Sequence, residues 1–256
     1  MKNTFPKGWI EIKPKITEKE IALAVRDLPK NEAPGPDKIP NEIYRGRPSC
    51  HEKLAELFTA MLERAYIPQE IKHFYVAPLD KTGKDPSLCA HKRPIALLSP
   101  LMKLLELVLV RRILPIVGEE LSPDQYASQH LRSTDTLISD LDRFASTNRD
   151  QGEITYVAGL DIAGAFGGVS YDRLVDALLR GGVQPVLVRF IGIWLVMRVF
   201  KARLTTMRGS VRSGDFCQTR GVPQGGALSP FMWIIYINKL AEEARQNMYR
   251  SSPTGT

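Results

Sequence analysis

In GLDIAGAFGGVSYDRL, residues 159–174, one acid, Asp161, stands at the end of an otherwise apolar run, TYVAGL. The β-branched and aromatic content of ITYVAGLD predicts a buried strand ending at Asp161, followed by a turn and then a helix from about Ser170 that stops at Gly181-Gly182. A carboxylate at a buried strand end has two accounts. It caps the following turn by accepting from nearby backbone N–H groups, or it faces a ligand. The segments on either side weigh one against the other.

Downstream, Pro185 starts a helix expected to run through about Val199. KARLTTMRGSVRSGDFCQTRG (201–221) then alternates, with Gly209 and Gly214 where turns are needed, and reads as a β-hairpin. GVPQGGALSP (221–230) is a Gly-rich turn, Ser229-Pro230 caps a last helix, and SSPTGT reads as a frayed end. Upstream, Thr17 and Glu20 form a capping box ahead of Ile21, Val25 and Leu28, and Pro29 stops that helix. EAPGPDKIP (32–40) is a rigid loop, and Leu54, Leu57, Phe58, Met61, Leu62 and Ala65 form a helical core stripe. HFYVAPL (73–79) is a strand running into the basic loop DKTGKDPSLCAHKR. Ser99 and Pro100 open an apolar helix that Pro115 closes, and Ser133 opens another with Leu137, Leu141, Phe144 and Ala145 on one face.

Of the 256 residues, 43% are hydrophobic and 25% charged, which excludes disorder over most of the length. The net charge of +7 fits a polyanionic partner, and fits equally a basic surface with no dedicated partner. Cys50, Cys89 and Cys217 are scattered, with neither a disulfide framework nor a CxxC knuckle, so a reducing compartment is expected. LMKLLELVLV (101–110) is broken by Lys103 and Glu106 and too short to span a bilayer, and MKNTFPKGWIEIKP lacks the apolar core of a secretory signal. The expectation is a soluble intracellular protein, no membrane partner, nuclear or cytoplasmic location open.

Several side chains carry chemistry when taken together. Phe166 offers a flat wall shortly after Asp161; Gln224 offers an amide between glycines that admit a close backbone or base; Arg93 follows a loop holding Lys81, Lys84 and Lys92. An acid for a metal, an aromatic wall, a polar probe and cations for phosphates are the parts of phosphoryl transfer, whose catalysis is mostly positioning and charge neutralisation.

APGPDKIPNEIY, HKRPIALLSPLMKLLE, LRSTDTL, GLDIAGAF and GVPQGGALSPFMWIIYINKL occur in the order and approximate spacing of one family. By these five segments the chain resembles the reverse transcriptase domain of non-LTR (LINE-type) retrotransposons. The resemblance implies an α+β fold, an incomplete right-hand polymerase with fingers and a partial palm but no thumb. Residues 1–150 would be an N-terminal extension and mostly helical fingers, and 151–256 a partial palm. It implies RNA-templated addition of deoxynucleotides to a DNA primer, with an RNA template and Mg²⁺ as partners. Asp161 matches the first metal-binding carboxylate and Phe166 the side chain that excludes a 2′ hydroxyl. Gln224, with Gly225 and Gly226, matches the palm loop beside nucleotide and template. Arg93 resembles the fingers residue on the triphosphate, with Lys81 beside it; a solvated loop cation is the plainer account of Lys81.

Two departures stand out. The family usually has an acid after the phenylalanine, where this chain has Gly167-Gly168, expected to loosen that turn. The family also places a Tyr-x-Asp-Asp hairpin after the GVPQGG helix, whereas no Asp follows Asp215 and the only acids beyond Pro230 are Glu242 and Glu243. Adjacent on a helix, those two diverge by about 100° and cannot replace the hairpin pair. The sequence therefore predicts a truncated domain, its Asp161 strand left with an open apolar edge, and a C-terminal half prone to aggregate or partly molten. Three readings follow: a polymerase completed by carboxylates from elsewhere, a catalytically inert nucleic-acid-binding remnant, or an unrelated basic interaction protein.

Overall fold

The computed structural model describes residues 15–129, 131–206 and 209–250; the N-terminal MKNTFPKGWIEIKP and the expected frayed end SSPTGT lie outside them. Helices α1 (Glu18–Asp27), α2 (Glu42–Arg45), α3 (His51–Arg64) and α4 (Gln69–Lys72) lead into strands β1 (His73–Asp80) and β2 (Lys92–Leu97). Then come α5 (Pro100–Val117), α6 (Thr134–Asp150), the single turn α7 (Ala165–Gly168), α8 (Tyr171–Arg180) and α9 (Pro185–Leu195). Strands β3 (Arg198–Thr206), β4 (Gly209–Arg212) and β5 (Phe216–Gln218) and helix α10 (Ser229–Arg250) complete the order, an α+β arrangement.

The sheet runs β2-β1-β3-β4, with β5 also on β3. β1 pairs antiparallel with β2 (Tyr75 opposite Leu97) and parallel with β3 (Tyr75 opposite Lys201), and β4 returns antiparallel along β3 (Arg203 opposite Arg212). Side chains alternate across strands. One face therefore carries Phe74, Ala96 and Phe200 and joins a small core with Leu98, while the other carries Tyr75, Arg93, Lys201, Arg203 and Arg212. Strands on both sides of residue 150 build this sheet, and the main core runs from Ile16 to Ile235.

Local sequence accounts for most elements. The α1 capping box forms: Glu20 N–H donates to the Thr17 hydroxyl at 3.3 Å, and Thr17 N–H donates to the Glu20 carboxylate at 2.8 Å. The α3 stripe buries Leu54, Phe58, Met61 and Leu62; Leu57 stays exposed and Ala65 ends the helix in the left-handed region at φ 48°. Along α5, Leu104, Leu105, Val108 and Leu109 are fully buried, each contributing roughly 1.5–3 kcal/mol relative to exposure.

Several expectations are corrected. Pro115 does not close α5, which continues to Val117. In the last turn a proline forfeits one N–H bond, and the Gly118 N–H still reaches the Leu114 carbonyl at 2.8 Å. Helix α9 stops at Leu195 rather than Val199, because Met197 turns at φ 56° and Arg198 begins the hairpin strand. Ser229 is the first residue of α10 rather than its cap, the Met232 N–H donating to Leu228.

The largest differences are adjacent. The apolar face of α6 is not core: Leu137, Ile138, Leu141 and Phe144 are exposed, and the helix buries no residue. Residues 153–162 form no strand, and Ile154, Tyr156, Val157 and Leu160 face solvent, Leu160 with 95% of its surface. A strand exists only where a neighbour supplies its ladder. Among the described residues no strand lies beside 153–162, so the expected open edge is instead an unpaired segment without regular structure.

Candidate nucleotide and nucleic-acid site

The GVPQGG loop is clamped from three sides. At its start, the Gly221 N–H donates to the Val169 carbonyl at 2.8 Å and the Val222 N–H to the Phe166 carbonyl at 2.9 Å. Gly221 sits at φ 81°, and a Cβ there would come within 2.8 Å of the Gly167 Cα, so only glycine fits. At its tip, the Ala96 N–H donates to the Gln224 carbonyl at 2.6 Å, which ties the loop to β2. Gly225, at φ 119°, lies over that contact, where a Cβ would meet the Ala96 oxygen at 2.8 Å. At its end, the Leu228 N–H points to a carboxylate oxygen of Glu106 on α5 at 3.4 Å, with Gly226 packed against the same carboxylate.

This clamping brings four sequence-predicted residues together. Phe166, Gln224, Gly225 and Gly226 line one cavity of about 400 Å³, whose opposite wall includes Lys103 and Glu32. Phe166 is half-buried and held against Trp233, ring centroids 6.1 Å apart. The expected loosening at Gly167-Gly168 is offset by the bonds from Gly221 and Val222 and by the Arg220 Nε, which donates to the Gly167 carbonyl at 3.2 Å. Lys103 Nζ meets the Glu32 carboxylate at 2.6 Å, so the wall carries a paired cation.

The other candidates are placed differently. Arg93 is exposed on β2, on the same face as Ile95, which touches the Gly225 position. Two residues along a strand put it about 7 Å farther on. Lys81 is at the far end of the β1–β2 hairpin, its Nζ donating to the Ala90 carbonyl at 3.1 Å, as a loop cation would. Asp161 is exposed in the unpaired segment, not at a buried strand end. Among the described residues no group of three or more His, Cys, Asp or Glu side chains could hold a metal ion. A lone exposed carboxylate does not fit a two-metal Mg²⁺ centre, which needs acids converging from more than one segment. Glu242 accepts from the Asn238 amide and Glu243 pairs with Lys239 at 3.6 Å, as a solvated helix face does.

A second group beneath the loop was not singled out from sequence. Glu106 is fully buried, and its other oxygen accepts from Trp194 Nε1 at 2.9 Å. Burial pushes the Glu106 carboxyl above the usual range, while the Arg198 charge and the Trp194 bond pull it back. Arg198, also fully buried, lies 4.8 Å from the Trp194 ring and 5.4 Å from the Phe74 ring. Beside it the Tyr171 hydroxyl is pushed up to about 12 by burial. The available signal was a charged residue inside an apolar helix: Glu106 and Lys103, which read as interruptions of LMKLLELVLV, both turn inward.

Residues 80–252 match the family model of the reverse transcriptase (RNA-dependent DNA polymerase). The chain belongs to that family. It is 30% identical, over 89% of its length, to the Pol polyprotein of the type-1 retrotransposable element R1 of Bradysia coprophila, covering 22% of that protein. It is 26% identical, over 88% of its length, to the RNA-directed DNA polymerase of the mobile element jockey of Drosophila melanogaster, covering 24% of it. To the Pol polyprotein of element R2 of Popillia japonica it is 28% identical over 88% of the chain and 30% of that protein. The chain thus spans under a third of the length of these curated relatives, and its family branch is that of the non-LTR retrotransposons. No helix among the described residues is long and apolar enough to cross a membrane.

Proposed function

We propose that the chain is the fingers (1–150) and part of the palm (151–256) of a right-hand reverse transcriptase, interlocked through a shared sheet. It holds an RNA template, a DNA primer and an incoming deoxynucleotide. The observation that carries this reading is the convergence of Phe166, Gln224, Gly225 and Gly226 on one cavity, with Arg93 on the strand that the Gln224 carbonyl binds. In this reading Phe166 lies under the sugar, the Gln224 amide meets a base edge, and Arg93 meets phosphate. Asp161 is the one family carboxylate in place by sequence. Because it stands exposed and alone, these 256 residues bind nucleic acid but do not extend a primer.

The experiment pairs two measurements on an RNA template annealed to a DNA primer. Affinity should fall as salt rises, and Arg93→Gln should weaken it. Extension with Mg²⁺ or Mn²⁺ should be absent. Extension that disappears in Asp161→Ala would overturn the inert reading, and affinity indifferent to salt would sink the nucleic-acid reading.

A further inference from the structure

The sheet face that carries Arg93 holds an arrangement the cavity does not use. Arg203 on β3 and Arg212 on β4 are directly opposite in register, and the guanidinium carbons lie 5.7 Å and 4.9 Å from the centroid of the same ring, Tyr75 on β1. Like charges directly opposite on a sheet repel. No acid among the described residues pairs with either arginine, and Arg203 Nε is buried without a hydrogen-bond partner. The nearest cation on this face, Lys201, has its own acid, Asp215, at 3.5 Å. Tyr75, only 8% exposed beneath the pair, is a positioning residue whose ring orients both guanidinium groups.

We propose that Arg203 and Arg212 form a site for a backbone phosphate of a single-stranded nucleic acid, which crosses this sheet face from Arg93 toward β4. A phosphate between the two guanidinium groups supplies the missing counter-charge and accepts from the orphaned N–H. With strands spaced as in any sheet, the path from β2 to β4 is about 14 Å long. The proposal rests on the reading above only in taking the polyanion to be nucleic acid. Its residues are separate from the cavity.

The test measures binding of a labelled single-stranded RNA oligomer to the whole chain across a salt series, with thermal unfolding of each variant. In Arg203→Gln/Arg212→Gln the log-log salt slope should be shallower by about 0.7, the share of one phosphate on a single strand, so that the affinity lost between about 50 mM and about 200 mM salt shrinks roughly 2.6-fold. Without nucleic acid the midpoint should hold or rise, because the repulsion is gone. Arg212→Gln alone, at an exposed position, should give half the slope change and covers misfolding of the double variant. A parental slope in these variants, with Arg93→Gln still reducing it, would overturn this site and leave the cavity reading intact. Absence of salt-sensitive binding in the parent would defeat both. Equal competition by inorganic triphosphate at matched phosphate concentration would mean a free-anion site and overturn the strand assignment.

Discussion

Helices α5 and α6 are of similar length, 18 and 17 residues, and both have apolar residues at core-forming positions, yet most residues of α5 are buried and none of α6 is. The charges inside α5 are satisfied within the fold, Lys103 by Glu32 and Glu106 by Trp194 and the Leu228 N–H. On α6 the apolar side chains face outward beside the equally uncovered segment 153–162. Periodicity states which face of a helix needs a partner. Whether that partner lies within the same stretch of chain is a separate matter.

The largest effect should come from the packed region. Glu106→Ala takes the acceptor from the buried Trp194 Nε1 and from the Leu228 N–H at the end of the GVPQGG loop, at a cost of roughly 2–5 kcal/mol in denaturant unfolding. A loss under 1 kcal/mol would mean that the loop is held without Glu106. Next, Gly225→Ala forces a Cβ against the Ala96 oxygen at a left-handed φ and should cost roughly 1–3 kcal/mol, with weaker binding of the template-primer.

A smaller effect concerns pH. Burial raises the Glu20 carboxyl, but the Arg112 and Thr17 hydrogen bonds outweigh it and hold the group below its ordinary value of 4.5. A depressed carboxylate adds stability above its unfolded value, and that stability disappears as pH falls through the folded value. Acid titration of stability should therefore show a component below pH 4.5 that Arg112→Met removes. The smallest effect belongs to α6: Phe144→Ser should change unfolding free energy by no more than about 0.5 kcal/mol while reducing aggregation. A drop of several kcal/mol would show that the α6 face is covered in solution and erase the contrast with α5.

What could be read in the sequence follows the same division. The α1 capping box, the Gly181-Gly182 stop and the hairpin after α9 are set by neighbours in the chain, and all form; β1 forms because β2 and β3 supply its ladder. TYVAGLD has the composition of a buried strand, but a strand also needs a ladder from elsewhere, which composition cannot supply. Phe166, Gln224, Gly225 and Gly226 were legible because their motif fixes local loop geometry that the fold then clamps. Glu106 was not, because a charge inside an apolar helix reads as an interruption until its partners, Trp194 and the Leu228 N–H, are known. Arg203 and Arg212 look like ordinary basic residues of a hairpin until β1 brings Tyr75 against them.

The parallel pairing of β1 with β3 has a consequence for synthesis on the ribosome. His73 finds its neighbour only when Val199 has been made. Until then the β1–β2 hairpin has an unsatisfied edge, and α5 lacks Trp194 for its buried acid. The nascent chain must pass through a long interval with the β3-facing edge of β1 unpaired, a window in which a chaperone or a neighbouring nascent chain can capture it.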